Sequence, residues 1–307
     1  RLVGYLPDYA PIASRLHMLA NSLQSIWRHL PVISMIAEKM TGFSARRSLP
    51  KWSGAPFTDD EIDSAPIADR PVLIFADTFN RYFEPDNLRA AVKVLKAAGY
   101  QPFIPPANSS QPVCCGRTYL SVGKIDKARA HAQHLVDMFA PFARDGIPVV
   151  GLEPSCTLAL KDEVPALLAT DEARVLAEQV MTFEELLARD RPDVPLAKTG
   201  GKALLHGHCH QKAFDVVGSV ETVLSDIAGF EVEQIQTSCC GMAGAFGYGA
   251  DTYDISIKMA EAHLLPAVRA ADKDTVLVAD GVSCRCQIKD GTDRSARHVA
   301  AILADRL

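Results

Sequence analysis

No stretch of this sequence runs for eighteen apolar residues without a charge, which excludes a membrane-spanning helix. It also lacks a basic leader followed by a short apolar segment and a small-residue cleavage site, so export is not expected. Long basic runs are missing too. The 32 Lys and Arg stand against 37 Asp and Glu, and a net charge of −5 argues against nucleic acid as the partner. Charged residues are too few, at 22% against 48% hydrophobic, for a disordered chain. The 307 residues suffice for one large domain or two of ordinary size. The first residue is Arg1 rather than Met, and a segment of something longer is expected.

Cysteine is plentiful: eight residues, among them the neighbouring pairs Cys114-Cys115 and Cys239-Cys240. In a large chain without an export signal, clustered cysteines point to metal or redox chemistry rather than crosslinks. A disulfide between sequence neighbours is strained besides. The run 239–249 holds two cysteines and then Gly241, Gly244, Gly247 and Gly249. Adjacent thiolates give a soft metal two ligands from one short piece of backbone, and glycine lets that backbone turn and approach closely. A helix opening at Gly241 would aim free N–H groups at an anionic centre. The plain alternative is a tight turn over two buried thiols. The run lacks the GK[ST] ending of a phosphate loop and the glycine spacing of a dinucleotide fold.

Apolar residues at helical spacing from Leu16 to Ile36 predict a helical arm over 1–45, broken at Pro31. The arm suits packing on a neighbouring domain. A membrane-surface contact has only His17, Arg28 and His29 as basic anchors. Residues 45–70, with Pro50, Gly54, Pro56 and Pro66, read as a surface linker.

Beyond residue 70, short apolar runs predict strands at 72–75, 101–104, 148–152, 203–205, 230–235 and 275–279. Helices are expected at 85–96, 117–143, 153–168, 171–189, 216–227 and 251–270. The order repeats as β-α-β-CysCysGly-α-β-Cys-α. Cys239 follows Cys114 by 125 residues, and Cys284 follows Cys156 by 128. The expected class is α/β, with two duplicated β-α-β-α-β units and mostly parallel sheets behind a helical arm. The expected divisions are 1–70, 71–190 and 191–307. Each cysteine group follows a strand, where α/β sheets bind ligands.

The second unit offers Cys209, Cys239, Cys240, Cys284 and Cys286, more soft ligands than one tetrahedral zinc requires. Cys286 lies two residues past Cys284, as a ligand or a bystander. The first unit offers Cys114, Cys115 and Cys156, with Asp77-Thr78 at the place matching Cys209, so a weak, shared or vestigial site is expected. On an extended segment His206, His208 and His210 would share one side and Cys209 the other. A second metal site, a proton relay and hydrogen bonding to cluster sulfurs are open to them, as is simple satisfaction by backbone.

These stretches resemble the cysteine-rich CCG domain. In the first unit they are Phe75-Ala76-Asp77-Thr78-Phe79, Tyr82-Phe83-Glu84-Pro85, Cys114-Cys115-Gly116 and Glu153-Pro154-Ser155-Cys156. In the second they are His206-Gly207-His208-Cys209-His210-Gln211, Cys239-Cys240-Gly241-Met242-Ala243-Gly244 and Asp280-Gly281-Val282-Ser283-Cys284-Arg285, before Gln287-Ile288. The resemblance covers about 70–307 and is nearest to the C-terminal part of FAD-linked D-2-hydroxyacid dehydrogenases, of the D-lactate/D-2-hydroxyglutarate type. The CCG-bearing component of heterodisulfide reductase is related, as are the iron–sulfur components of glycolate oxidase and anaerobic glycerol-3-phosphate dehydrogenase.

The resemblance implies an oxidoreductase part that relays electrons through an iron–sulfur cluster (4Fe-4S), with FAD outside this chain. The implied partners are an FAD-binding domain and a ferredoxin-like domain of the same polypeptide or complex. It implies a cytoplasmic place, or a peripheral one at the inner membrane. Gly241 and Gly244 would lie against the cofactor. The family's fuller pattern has Cys at the positions of Gly281 and Asp77-Thr78, and those departures bear on a five-cysteine, non-cubane cluster. A structural metal module and a thiol/disulfide site are the rival functions.

Overall fold

The computed structural model describes residues 2–106, 112–197 and 200–307, without the side chains of residues 28, 29 and 31. The basic anchors weighed at Arg28 and His29 therefore lie outside the described side chains. Among the described residues seven strands form two wholly parallel sheets. β1 (Pro71–Phe75), β2 (Gln101–Phe103), β3 (Val149–Gly151) and β4 (Val180–Thr182) take the order β2-β1-β3-β4. β5 (Lys202–Leu205), β6 (Glu231–Gln234) and β7 (Val276–Val278) take the order β6-β5-β7. The expected α/β class with parallel sheets is what forms.

The central strands explain themselves. In β1, Val72, Leu73, Ile74 and Phe75 are all buried, because helices cover both faces of a parallel sheet. β5 pairs Leu204 with Leu277 and Leu205 with Val278 in the same manner. The two sheets share one core. Leu88, Leu95 and Val150 on the first side pack in a continuous cluster with Leu205, Val220, Leu224, Val299 and Leu303 on the second. The helix Pro85–Ala97 lies against the terminal helix Val299–Ala304. Burying a side chain such as Leu88 or Leu303 contributes about 1.5–3 kcal/mol, so the seam is a principal source of stability.

Several expected helices are interrupted. The stretch 171–189 holds β4 between helices Asp171–Gln179 and Phe183–Asp190. Val180 and Thr182 bear β-branched side chains, and Thr182 with Glu185 forms a capping box that restarts the helix. The stretch 117–143 divides into Arg117–Leu120 and Ile125–Arg144, around Gly123 at φ +71°. The stretch 251–270 divides at His263.

The arm is three helices, Leu6–Arg15, His17–His29 and Pro31–Thr41, with a break at Leu16 as well as before Pro31. Its outer face is apolar: Met18, Leu19, Leu23, Val32, Met35, Ile36 and Met40 are exposed. Among the described residues no helix is long and apolar enough to cross a membrane. The segment after the arm does more than connect. Trp52 and Phe57 are buried in it, and the Arg47 guanidinium is fully enclosed.

Candidate metal centre

Both CysCysGly segments are the same turn, built after β2 in one half and after β6 in the other. Gly116 sits at φ +81° and Gly241 at φ +87°, a region that L-residues avoid. The Gly116 N–H donates to Cys114 Sγ at 3.4 Å, and the Gly241 N–H donates to Cys239 Sγ at 3.3 Å. A Cβ on Gly116 would lie 2.7 Å from the Ala128 carbonyl oxygen, and one on Gly241 would lie 2.3 Å from that of Ser256. Each glycine thus lets the turn press against a helix further along the chain, Ile125–Arg144 or Tyr253–Ala262. The helix expected to open at Gly241 does not form. The chain continues through a turn and the next α-helix starts at Tyr253, whereas Gly116, at nearly the same φ, leads directly into the helix Arg117–Leu120.

The strand ends match as well. Asp77 caps the helix Thr78–Tyr82 and His208 caps the helix Cys209–Ala213. Thr78 therefore stands where Cys209 stands. Its side chain lies beside Cys114, as that of Cys209 lies beside Cys239. Because a helix begins at Cys209, the three histidines do not alternate along an extended chain. His208 and His210 stack at 5.2 Å beside Cys209, whereas His206 turns inward.

In the second half four sulfurs converge. Cys209 lies beside Cys239, Cys239 beside Cys240, and Cys240 beside Cys284, all as free thiols. Hydrogen bonds from Cys209 and Cys240 hold Cys239 down at about 2. The bond from Cys240 holds Cys284 well below the usual thiol range, and burial opposes it. Cys209 and Cys240 are raised in return. Two sulfurs are thus prepared as thiolates.

His206 is 1% exposed, and neither ring nitrogen has a hydrogen-bond partner of ordinary geometry. Its ligand atom and the sulfurs of Cys240 and Cys284 all lie within 4.8 Å of one another, and the ring is close enough to Cys284 to favour its thiolate. Leaving such a buried polar group unpaired costs about 1–3 kcal/mol. The Lys212 ammonium reaches the Thr237 carbonyl beside these sulfurs. Burial lowers its pKa and the four cysteines oppose that.

The first half brings Cys114, Cys115 and Cys156 together. Cys115 is held well below the ordinary value by bonds from Cys114 and then Cys156. The Asp77 carboxylate accepts from Phe79 N and Asn80 N and from Asn80 Nδ2, and burial raises it to about 6. As the helix cap, Asp77 is occupied with backbone. The seam between the sites is polar. Arg117 lies 2.9 Å from His210 Nε2, and Glu153 accepts from Val282 N at 2.8 Å. Burial, then Asp77, pushes Glu153 up to about 8.

Other expected residues stand apart. Cys286 bonds Tyr248 instead of the sulfur group, and burial raises it to about 11. Gly244, at φ +64°, has open space where a Cβ would go. At Gly281 a Cβ would lie 2.3 Å from the His208 ring, so a thiol there has no room. Sequence reasoning missed Lys212, Arg117 and Arg47. Arg47 donates to Gly247 O at 2.9 Å and to Gln287 Oε1 and Ser256 Oγ, which ties the linker to the 241–249 loop. Basic residues in a sequence carry no mark of such distant partners.

The donor set of the second half, four soft sulfurs with two prepared as thiolates, fits an iron–sulfur cluster or one soft ion. Three sulfurs and a hydroxyl fit less well in the first half. Residues 76–161 match the family described as "Cysteine-rich domain" (CCG). D-2-hydroxyglutarate dehydrogenase of Escherichia coli (strain K12) is 25% identical over 98% of this chain and 30% of its own length. A component of the anaerobic glycerol-3-phosphate dehydrogenase of the same bacterium is 29% identical over 85% of this chain and 66% of its own length. Lactate utilization protein A 1 of Bacillus cereus (strain AH820) is 24% identical over 76% of this chain and 99% of its own length. The chain thus spans less than a third of the first relative and just under two thirds of the second. Residues 76–161 are thus similar to the cysteine-rich domain of the CCG type, within a sequence similar along nearly its whole length to part of a D-2-hydroxyglutarate dehydrogenase.

Proposed function

We propose that this chain is the iron–sulfur, electron-transferring portion of a flavin-dependent D-2-hydroxyacid dehydrogenase. The hydroxyacid (D-lactate, glycolate or D-2-hydroxyglutarate) would be oxidised on FAD outside residues 1–307. An FAD-binding domain and a ferredoxin-like domain of the same polypeptide or complex are the proposed partners. We assign the arm and linker to 1–70 and the two units to 71–190 and 191–307, in the cytoplasm or peripheral at the inner membrane. The convergence of Cys209, Cys239, Cys240 and Cys284 beyond the carboxyl ends of β5, β6 and β7 carries the reading. Similarity to two dehydrogenase components supports it.

In this reading those four cysteines hold a 4Fe-4S cluster, and Cys114, Cys115 and Cys156 form a weaker or shared site. When bound, the cluster supplies a centre that accepts and returns single electrons. The chain's own part is to hold and tune. The Gly241 N–H on Cys239 Sγ and the Lys212 ammonium offset negative charge on sulfur. Burial of Cys240 and Cys284 keeps water from that side. One observation favours the rival, a structural metal module: Cys240, Cys284 and His206 place their ligand atoms within 4.8 Å of one another, a compact set that suits a single ion.

The test is anaerobic loading of the full chain with iron and sulfide, followed by reductive titration watched by visible absorption. We expect reversible bleaching in the wild type and loss of iron and sulfide in Cys239→Ser/Cys240→Ser. Metal that stays bound and silent through the titration would establish the structural module instead.

A further inference from the structure

We infer that His206 is a metal ligand, through a ring nitrogen, in company with Cys240 and Cys284. The inference rests on the reading of the second half as a metal centre and adds a nitrogen donor to an otherwise all-sulfur set.

The position of the ring is fixed by main chain. His206 follows β5 directly, and its N–H donates to the Val278 carbonyl at the end of β7 at 2.9 Å. Cys284 reaches the same place on the helix Val282–Gly291. Cys240 reaches it from the turn after β6. Three strands therefore deliver one donor group each to a single spot. The ring is 1% exposed, so bulk water does not reach its nitrogens, and among the described residues no nitrogen or oxygen bonds them. Buried imidazoles ordinarily find such partners. The metal-binding groups gathered with it within 4.8 Å, among the described residues, are the two sulfurs. An imidazole with its ligand atom within 4.8 Å of two cysteine sulfurs is a mixed nitrogen–sulfur donor set of the kind that binds zinc and iron.

The neighbouring rings differ. His208 spends Nδ1 accepting from His210 N at 3.1 Å, as the cap of its helix. His210 places Nε2 against Arg117. His298 donates Nε2 to the Leu152 carbonyl and accepts at Nδ1 from Ala300 N. Each of these has a structural task. Neither ring nitrogen of His206 has such a task among the described residues.

Nitrogen ligation has a consequence for the loaded centre. Exchanging thiolate for imidazole removes negative charge and raises the reduction potential, as it does in two-iron centres with mixed ligands. His206→Cys should therefore retain metal and lower the midpoint potential.

The deciding measurement is X-ray absorption on the full chain loaded anaerobically with Zn²⁺ alone. The expected wild-type spectrum contains sulfur scatterers at about 2.3 Å and a nitrogen scatterer at about 2.0–2.1 Å. His206→Gln keeps an N–H donor but gives up the imidazole. It should lose the nitrogen scatterer and more than about 100-fold in zinc affinity, beyond the about 10–100-fold that removing a merely hydrogen-bonded partner costs. Full zinc occupancy with sulfur scattering alone in the wild type would overturn the inference and leave the metal centre standing. A nitrogen scatterer that persists in His206→Gln would assign the ligand to another histidine and overturn it too. A wild-type chain that binds neither Zn²⁺ nor iron and sulfide would overturn the underlying reading, and this inference with it. Because two of these outcomes are read on the wild type, poor folding of the variant does not shield the inference.

Discussion

Replacing Gly241 by Ala, with Gly244→Ala as its partner, measures what the CysCysGly turn contributes. Both glycines have positive φ, +87° and +64°, so each Ala variant meets the cost of the left-handed region, about 1–2 kcal/mol. Only Gly241 has a neighbour in the way. Its new methyl would lie 2.3 Å from the Ser256 carbonyl oxygen, which belongs to the backbone of the helix Tyr253–Ala262. At Gly244 nothing stands within 4 Å. Overpacking of this kind costs about 1–3 kcal/mol, so Gly241→Ala should lose about 2–5 kcal/mol in all. With a urea slope on the order of 3 kcal/mol per molar, the two midpoints should differ by roughly 0.3–1 M. The collision can be relieved only by lifting Cys239 and Cys240 off the helix, so iron content after loading should fall with stability in Gly241→Ala and hold in Gly244→Ala. Gly244→Asn, which tolerates the left-handed region, should restore the small loss. Equal urea midpoints and equal iron in the two Ala variants would refute the argument.

Arg47→Met removes a fully enclosed guanidinium from Gly247, Gln287 and Ser256. Breaking such a buried charged network should cost about 3–5 kcal/mol by urea unfolding. A loss below about 1 kcal/mol would mean that the linker is not anchored there. The second expectation concerns pH. Glu153 is raised to about 8 in the folded chain, so between its unfolded value near 4.5 and pH 8 the folded state binds the extra proton. Its contribution is fully present below 4.5 and is lost as pH rises through 8, with a slope of up to about 1.4 kcal/mol per unit. Metal-free protein should unfold at lower urea at pH 8.5 than at pH 6, and Glu153→Gln should flatten that part of the profile. An unchanged slope in the variant would exclude Glu153 as its source.

The strands that build the sites were legible because a doubly covered strand must be an unbroken apolar run, as in Val72 to Phe75. The recurrence of the cysteines after those runs revealed the duplication. The sequence concealed whatever depends on distant partners or on a single backbone angle. β4 is three residues inside a helix-like stretch, and only its pairing with Val149, Val150 and Gly151 makes it a strand. The histidines around Cys209 were expected on one side because the segment was read as extended. A helix capped by His208 sends His206 inward instead. The expected helix at Gly241 does not form, although Gly116, at nearly the same φ, leads directly into the helix Arg117–Leu120. Arg47 reads in the sequence like any surface cation, and its enclosing groups come from 200 or more residues away.

The hydrogen bond from Val282 N to Glu153 has a consequence for how the duplicated halves can be taken apart. Glu153 caps its own helix through Ser155 N and also receives the first N–H of the helix that carries Cys284. His298, from the second half, donates in turn to the Leu152 carbonyl of the first. The second half therefore donates two hydrogen bonds to the first, over 129 and 146 residues of chain. Cut between β4 and β5, each fragment would carry a helix end or a carbonyl that only the other can satisfy, together with one side of a shared apolar core. Such fragments complement in trans: mixed, they should find each other, and neither should persist as a folded piece alone.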